Sequence, residues 1–360
     1  MDTKMFNLND QQQEQLRDFR ECFIEYKQVT DIYSIFDRLM FNCTVGGEQQ
    51  SLLLTGDTGS GKSALINHYL QRFPKIQNRW ADMPVLNTRI PGKIKEQNTL
   101  ERFLLDLDST VSSRVKRSNR EGSLLTSVIK TLIRKKVRLI IVNEVQELIE
   151  FKDAEERQTI ANTFKMISED ASVSFVLVGM PYSSLLADES QWNSRLGWRR
   201  HLDYFHLFKT EELENGKILL SPNEDGKIHF AKFVAGLAAR MGFAQRPNLT
   251  SDDILLPLFA VCHGECRALK HFLSDALLNA LSKSANTIDI DILSDTFDFK
   301  YPSIKDNPFK CELKELNIRE LRSETWYDQK AQFKEDRIID RTFTDVLPIH
   351  MLLSKRPLQG

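Results

Sequence analysis

The chain is poor in cysteine, and the five it has (Cys22, Cys43, Cys262, Cys266 and Cys311, in 360 residues) are odd in number. That argues against a disulfide framework and for a reducing compartment. No apolar run approaches the roughly 20 residues that cross a bilayer, and the first twenty residues, MDTKMFNLNDQQQEQLRDFR, lack an apolar signal core. The expectation is a cytoplasmic protein, nucleoid-associated if it meets DNA, with no membrane partner. Neither sign of charge dominates, since 49 Lys and Arg meet 50 Asp and Glu. Any attraction to nucleic acid must therefore come from a local patch. Low complexity is confined to a short Gln run near position 11, and there is no internal repeat.

What is present is a chain long enough for one large or two to three smaller units with a real core. Over residues 10–42, apolar residues that include Phe19, Phe23, Ile32, Ile35, Phe36 and Leu39 recur at helical spacing, predicting helices that lead into the core. The run Ser51-Leu52-Leu53-Leu54-Thr55 is short, apolar and ends at glycine. It suits a buried strand feeding a loop and then a helix from Lys62 to about Phe73. Strand-like runs follow at 84–89, 137–142, 173–178 and 202–208, each separated from the next by room for a crossover helix, which predicts a parallel α/β sheet. After residue 210 strand-like runs give way to helical periodicity in 225–241, 251–261, 265–281 and 288–297. A boundary is expected near 210–224, where Glu214-Asn215-Gly216 and Ser221-Pro222-Asn223-Glu224-Asp225-Gly226 supply turn residues. The expected organisation is a helical arm at 1–45, an α/β domain at 46–215, a helical lid at 216–300 and a C-terminal extension at 301–360.

The octet Gly56-Asp57-Thr58-Gly59-Ser60-Gly61-Lys62-Ser63 matches G-x-x-x-x-G-K-[ST], with a strand before it and a helix running on through Ala64. That context lets backbone N–H groups and a helix N-terminus cradle phosphates. From average residue usage, a chance match in a chain this long has a probability of roughly 1 in 100, and the flanking context lowers it further. Lys62 would reach the β- and γ-phosphate oxygens of ATP, and the Ser63 hydroxyl would face Mg²⁺.

A second element, Leu139-Ile140-Ile141-Val142-Asn143-Glu144, is an apolar strand ending in two polar residues, as in a Walker B strand. Asn143 stands where an Asp usually holds Mg²⁺ through water. Its amide oxygen accepts a hydrogen bond but brings no negative charge to the metal, so a weaker hold on Mg²⁺ and slow turnover are expected. Glu144 remains as the base that polarises water. The strand 173–178 ends in Gly179-Met180-Pro181, where a polar sensor often sits; Met180 cannot serve, leaving Ser183 or no residue in that role.

Between Gln191 and the expected fifth strand lie Arg195, Arg199 and Arg200. Arginines there suit a finger that reaches a neighbour's γ-phosphate and makes hydrolysis depend on assembly; surface ion pairs are the alternative. Gly264-Glu265-Cys266-Arg267-Ala268-Leu269 opens a helix after a turn, which suits Arg267 as a second sensor folding a lid onto the nucleotide. Cys262 and Cys266 have no second ligand pair to complete a zinc site. Two basic stretches, Arg89 with Lys93 and Lys95, and Arg114, Lys116, Arg117 and Arg120, fall in expected loops or helix starts. Side chains of this kind bind phosphates without sequence preference, although composition alone favours a solvated face.

Taken together, Phe23-Ile24-Glu25-Tyr26, Gly56 to Ser63, Val137 to Glu147, Ser174 to Pro181, Gln191 to Leu196 and Gly264 to Leu269 resemble the TniB/TnsC family of transposition ATPases, over roughly residues 15–285. These serve Tn-type transposons, including CRISPR-associated ones. The order and spacing of the parts carry the resemblance, above all the Phe-Ile-Glu-Tyr arm before the loop and Gln191-x-x-x-Arg195-Leu196 after it. The sequence departs from the family at Asn143 and at Gln146, where a histidine is usual. The resemblance implies a P-loop AAA+ core with a parallel sheet flanked by helices, then a helical lid. It further implies an ATPase that assembles with itself, six or seven subunits to a ring or turn, around duplex DNA. Such a regulator takes a signal from a TniQ- or TnsD-like selector and activates a transposase. On that reading the basic stretches face DNA, Arg195 leads as the finger, and residues 301–360 dock the transposase. A nucleotide-gated scaffold with little turnover, and another AAA+ or signal-transduction ATPase such as a helicase loader, are the alternatives.

Overall fold

Short apolar runs that end in glycine or a polar residue build the centre of the protein. The computed structural model describes residues 8–46, 48–74, 81–90, 96–107, 121–212, 218–322, 326–340 and 342–353. Strands β1 (Leu52–Gly56), β2 (Val85–Arg89), β3 (Leu139–Asn143), β4 (Ser174–Gly179) and β5 (Trp198–Leu202) form one sheet in the order β2-β3-β4-β1-β5. All its pairings are parallel, with Leu52 opposite Val176 on one side and Trp198 on the other. Side chains alternate. Leu53, Ile140, Val142, Phe175 and Leu177 face one way, while Leu52, Leu54, Leu139, Ile141, Val176 and Val178 face the other. Both faces are covered, which is why these strands read as continuous apolar runs.

Helices α1 (Asp10–Glu21) and α2 (Lys27–Val45) precede the sheet, and α3 (Lys62–Leu70) follows β1. The crossovers carry α4 (Glu96–Leu107), α5 (Glu121–Arg134), α6 (Glu147–Phe151), α7 (Ala154–Ala171) and the short α8 (Ser190–Asn193). Buried side chains of α4, α5 and α7 cover the first face, and those of α2 and α3 the second. After the sheet come the hairpin strands β6 (Phe208–Glu212) and β7 (Ile218–Pro222), then α9 (Glu224–Ala239), α10 (Asp252–Cys262), α11 (Cys266–Ser282) and α12 (Ile290–Lys300). These four helices enclose a core of their own around Phe230, Phe259, Phe272 and Leu277.

The arm divides between these cores. Asn9 starts α1 with a reciprocal capping box: its side chain accepts from Gln12 N at 2.8 Å, and Gln12 Oε1 accepts from Asn9 N at 3.0 Å. Leu16 and Phe19 of α1 are buried in the lid core, whereas Val29, Ile32 and Phe36 of α2 are buried under the sheet. The turn 22–26 thus bridges lid and sheet, directly above the phosphate loop.

Two expectations are corrected. The fifth strand is Trp198–Leu202 and not 202–208. Its sequence, Trp-Arg-Arg-His-Leu, is polar because it is an edge strand, while the apolar Phe205 and Leu207 are buried in the lid core. Strands also do not cease after 210, since β6 and β7 pair antiparallel across the expected boundary. The residues after 300 are tied down as well: Phe309, Leu316, Ile318, Leu347 and Ile349 are buried in the lid core. Single bridges join Ile318 to Leu347 and Leu321 to Phe343. A small hairpin of β8 (Trp326–Tyr327) and β9 (Ile338–Ile339) rests Tyr327 on Tyr182, ring centroids 6.0 Å apart, before the final α13 (His350–Leu353). Among the described residues no helix is long and apolar enough to cross a membrane.

Candidate nucleotide-binding site

At the carboxyl edge of the sheet a cleft of about 380 Å³ opens between the β1–α3 loop, the 22–26 turn and α11. Two loop glycines, Gly59 and Gly61, have φ of 85° and 105°, a region other residues enter only with strain. Thr58, Gly59, Ser60, Gly61, Lys62, Ser63 and Ala64 line the cleft. Gly56 and Asp57 act from beneath. A Cβ on Gly56 would stand 2.7 Å from Leu202 O, and Asp57 Oδ1 accepts from Thr58 N at 2.7 Å. Lys62 Nζ donates to Gly56 O at 2.6 Å and Asp57 O at 3.0 Å, which leaves its third N–H for a phosphate oxygen. Burial pushes the ammonium down to about 8, against the raising charges of Asp57 and Glu144. Ser60 Oγ is buried and has no hydrogen-bond partner among the described residues. A cationic, under-satisfied loop of this form fits a polyphosphate.

Asn143 and Glu144 also line the cleft. Asn143 Nδ2 donates to Asn87 Oδ1 at 2.7 Å and Thr88 O at 2.9 Å, so both donors point into β2 and only Oδ1 is left as an acceptor. Glu144 has φ of 58°, an unusual conformation for a non-glycine residue. Its carboxylate accepts from Gln146 Nε2 at 2.5 Å, and Gln146 Oε1 accepts from Met180 N at 3.4 Å. Met180 lines the cleft, whereas Ser183 Oγ is buried beneath Gly179 and has no hydrogen-bond partner among the described residues. The polar group that bridges strands β3 and β4 is therefore Gln146.

From the lid, Arg267 lines the cleft and its backbone N–H donates to Gly59 O at 3.2 Å, setting the start of α11 on the phosphate loop. Glu265 packs where a Cβ on Gly59 would lie. Lys270, one helical turn on, donates to Cys22 O at 2.5 Å and holds the arm over the cleft. The far end is apolar, formed by Phe23, Ile24, Tyr26, Val29, Phe233 and Leu237. Phe23 stacks on His68 with centroids 4.5 Å apart. One end thus suits phosphates and the other a flat apolar ring.

None of the three arginines lines this cleft. Leu52 pairs with Trp198 and Gly56 with Leu202, so Arg195 lies at the amino edge of the sheet, roughly 13 Å or more of strand from the loop. It is half-buried beside Glu169, 3.6 Å away. Arg199 and Arg200 are exposed on the edge strand β5 itself, not before it. Arg199 donates to Asn193 Oδ1 at 2.6 Å, and Arg200 lies 5.7 Å from the Trp198 ring centroid. Arg89 is exposed at the end of β2, opposite Asn143. Lys93, Lys95, Arg114, Lys116, Arg117 and Arg120 lie outside the described residues.

The family description Bacterial TniB protein matches residues 17–205, from α1 through the loop and past β5. The chain belongs to the TniB family. A search of curated proteins finds no match. Among solved structures, the TniB-family chain is similar to the Aeropyrum pernix ORC2 protein in its ADPNP-ADP complexes, at 14% identity over 83% of this chain and 75% of that one, TM-score 0.53. It is also similar to Cdc6p from Pyrobaculum aerophilum, at 12% identity over 79% and 70%, TM-score 0.54. The A. pernix ORC1 protein in complex with DNA follows at 13% identity over 78% and 67%, TM-score 0.51. At such identities the likeness speaks for the fold, a P-loop AAA+ core.

In the TniB-family cleft the two residues expected to face a metal, Ser63 and Asn143, are neutral and offer a hydroxyl and an amide oxygen. Among the described residues no group of three or more His, Cys, Asp or Glu is placed to hold a metal. The set suits Mg²⁺ that arrives with a nucleotide's phosphates. Sequence reasoning missed Lys270, Tyr204 and the bridging part of Gln146. Lys270 carried a signal, because it falls one turn after Arg267 on the same helix. Tyr204 carried none: its hydroxyl donates to Thr58 O at 2.6 Å, a contact between residues 146 apart.

Proposed function

We propose that this TniB-family protein is an ATP-dependent, DNA-binding AAA+ regulator of transposition, which assembles on target DNA and links a TniQ- or TnsD-like selector to a transposase. The observation that carries the reading is the separation of Arg195, Arg199 and Arg200 from their own cleft. Two of them are exposed on an edge strand, so they serve a γ-phosphate only in a neighbouring copy. Heterologous contacts of that kind generate rings or filaments. In the cleft, Lys62 and the loop N–H groups would bind the phosphates, Arg267 would close the lid, and Glu144 would orient water. Ser63 and Asn143 would hold Mg²⁺, which when bound neutralises the phosphate oxygens. Duplex DNA is the partner for Arg89, Lys93, Lys95, Arg114, Lys116, Arg117 and Arg120, through sequence-independent phosphate contacts.

A second reading, a nucleotide-gated scaffold with little turnover, is favoured by one specific arrangement. The Walker B position has a neutral amide pinned to β2, and the adjacent glutamate is tied to Gln146. The deciding experiment is negative-stain imaging with duplex DNA and Mg²⁺, in ATP, a non-hydrolysable analogue or ADP. Rings or filaments on DNA only with a triphosphate support assembly, and phosphate release from the same samples separates the two readings. Monomers in all three conditions would overturn both.

A further inference from the structure

Residues 203–208 join the sheet to the lid and touch three other parts of the chain. Tyr204 Oη donates to Thr58 O in the phosphate loop at 2.6 Å. Phe205 N donates to Gly264 O at 3.0 Å, at the turn that precedes α11. Three further polar groups of the segment converge on one side chain from the C-terminal extension, while His206 O and Leu207 O accept from Asn223 Nδ2 at 3.0 Å and Asn223 N at 2.7 Å. Glu320, 5% exposed, accepts from Leu207 N at 2.6 Å and Phe208 N at 3.1 Å, and its second oxygen lies 3.2 Å from His206 Nδ1. His206 Nε2 in turn lies 3.3 Å from Asp203 Oδ1, the atom that also accepts from Tyr204 N at 2.8 Å. Glu320 is itself held by Thr344, whose hydroxyl accepts from Glu320 N at 3.0 Å, and by the neighbouring Leu321 N, which donates to His263 O at 3.3 Å.

A buried carboxylate is costly unless it is paired and hydrogen-bonded. Here its partners all lie at 206–208: the Leu207 and Phe208 backbone N–H groups and the His206 ring. Tightening or releasing Glu320 therefore acts on a segment that touches both the phosphate loop, through Tyr204, and the turn before α11, through Phe205. The apolar contacts of Phe309, Ile318 and Leu347 would hold the extension in place without any such carboxylate.

We propose that Glu320 is a positioning residue for the nucleotide: it fixes the 203–208 hinge and, through Tyr204, the shape of the phosphate loop, so that ATP affinity depends on the C-terminal extension. The proposal rests on the reading of the cleft as an ATP site. Loss of the hinge's fixed geometry lowers the population competent to bind, and affinity falls by that same factor.

The test is calorimetric titration of the full-length chain with Mg²⁺ and a non-hydrolysable ATP analogue. Glu320→Gln is expected to weaken binding about tenfold, and Tyr204→Phe, which removes one oxygen far from the extension, to weaken it similarly. Because both act through one segment, the double variant is expected to be no more than about threefold weaker than either single one. A residue that merely anchors the extension would change the melting temperature and leave affinity alone. Wild-type affinity in Glu320→Gln, or losses that multiply in the double variant, would overturn the proposal. If Glu320→Gln does not fold, His206→Gln removes the same pair from the hinge side and is read by the same criteria. Absence of binding by the wild-type chain would overturn the ATP-site reading, and this proposal with it.

Discussion

Gln146 Nε2 donates to Glu144 Oε2 at 2.5 Å while Gln146 Oε1 accepts from Met180 N, so one side chain ties Glu144, the proposed base, to the end of β4. Glu144→Gln is expected to keep nucleotide affinity and to lower phosphate release about a hundredfold or more, the usual contribution of a positioned base. Gln146→Ala frees the carboxylate and is expected to raise turnover severalfold, at the expense of order at Met180. Steady-state phosphate release with DNA present reads both. Equal rates for Glu144→Gln and wild type would remove Glu144 from the mechanism.

Asn143 offers a second handle on the same chemistry. Asn143→Asp adds a negative charge to the metal side of the cleft and is expected to lower the Mg²⁺ concentration needed for half-maximal nucleotide binding severalfold. The change has a structural cost. An aspartate cannot donate to Thr88 O, and that lost bond and unpaired acceptor amount to about 1–3 kcal/mol. Magnesium titration and thermal unfolding of the same variant should therefore move in opposite senses. Unchanged magnesium dependence would place the metal away from residue 143.

Much of this site was legible because its parts are local. The phosphate loop is a contiguous octet, β1, β3 and β4 are apolar runs buried on both faces, and the Asn143 substitution is visible at once. The illegible parts depend on long-range register or on exposure. The polar sequence of β5 follows from its place at the sheet edge, which no local pattern reveals. The arginine cluster could be found, but not that Arg199 and Arg200 sit on the strand while Arg195 turns to Glu169. Gln146 reads as a departure from a family pattern until β4 is set beside β3. The contacts of Tyr204 with Thr58 and of Glu320 with Leu207 join residues more than a hundred positions apart, and periodicity carries no trace of them.

Lys62 is expected to make nucleotide affinity depend on pH. Burial holds its ammonium down to about 8, and bound phosphates stabilise the charged form, so above that pH binding must take up a proton. Affinity should be flat below about pH 7.5 and fall toward tenfold per pH unit above pH 8. Titrations in two buffers of different ionisation enthalpy at pH 9 would detect the proton uptake. A flat profile to pH 9.5 would show that the ammonium keeps its charge unaided.

His206 makes folding stability depend on pH in a separate way. Burial lowers its pKa, but hydrogen bonds to Asp203 and Glu320 and the charges of both carboxylates outweigh that, and the imidazolium is pushed up to about 10. A folded pKa above the unfolded value of 6.5 contributes stability that is complete below pH 6.5 and lost as pH rises toward 10. The slope from this group is on the order of 1 kcal/mol per pH unit. Lys62 acts in the opposite sense between about 8 and 10.5, so the difference between wild type and Glu320→Gln isolates His206 better than either curve alone. That difference in urea-unfolding free energy should shrink from pH 7 to pH 10. A constant difference would mean that His206 is neutral throughout.

Assembly through the arginines can be tested by mixing. Lys62→Ala lacks a working phosphate loop but keeps Arg199 and Arg200, whereas the Arg199→Ala/Arg200→Ala double variant keeps the loop and loses the arginines proposed as the finger. Each alone is expected to be at least a hundredfold slower than wild type in DNA-stimulated phosphate release, by the usual size of arginine-finger effects. In a head-to-tail oligomer every site joins the loop of one copy to the finger of the next. With random mixing in equal amounts, about a quarter of the sites pair an intact loop with an intact finger, so activity should return to about a quarter of the wild-type rate. Recovery cannot occur if the arginines act within one chain, because neither parent then holds a complete site. If the mixture stays inactive, Arg195→Ala takes the place of the double variant, and recovery with it would assign the finger to the arginine beside Glu169.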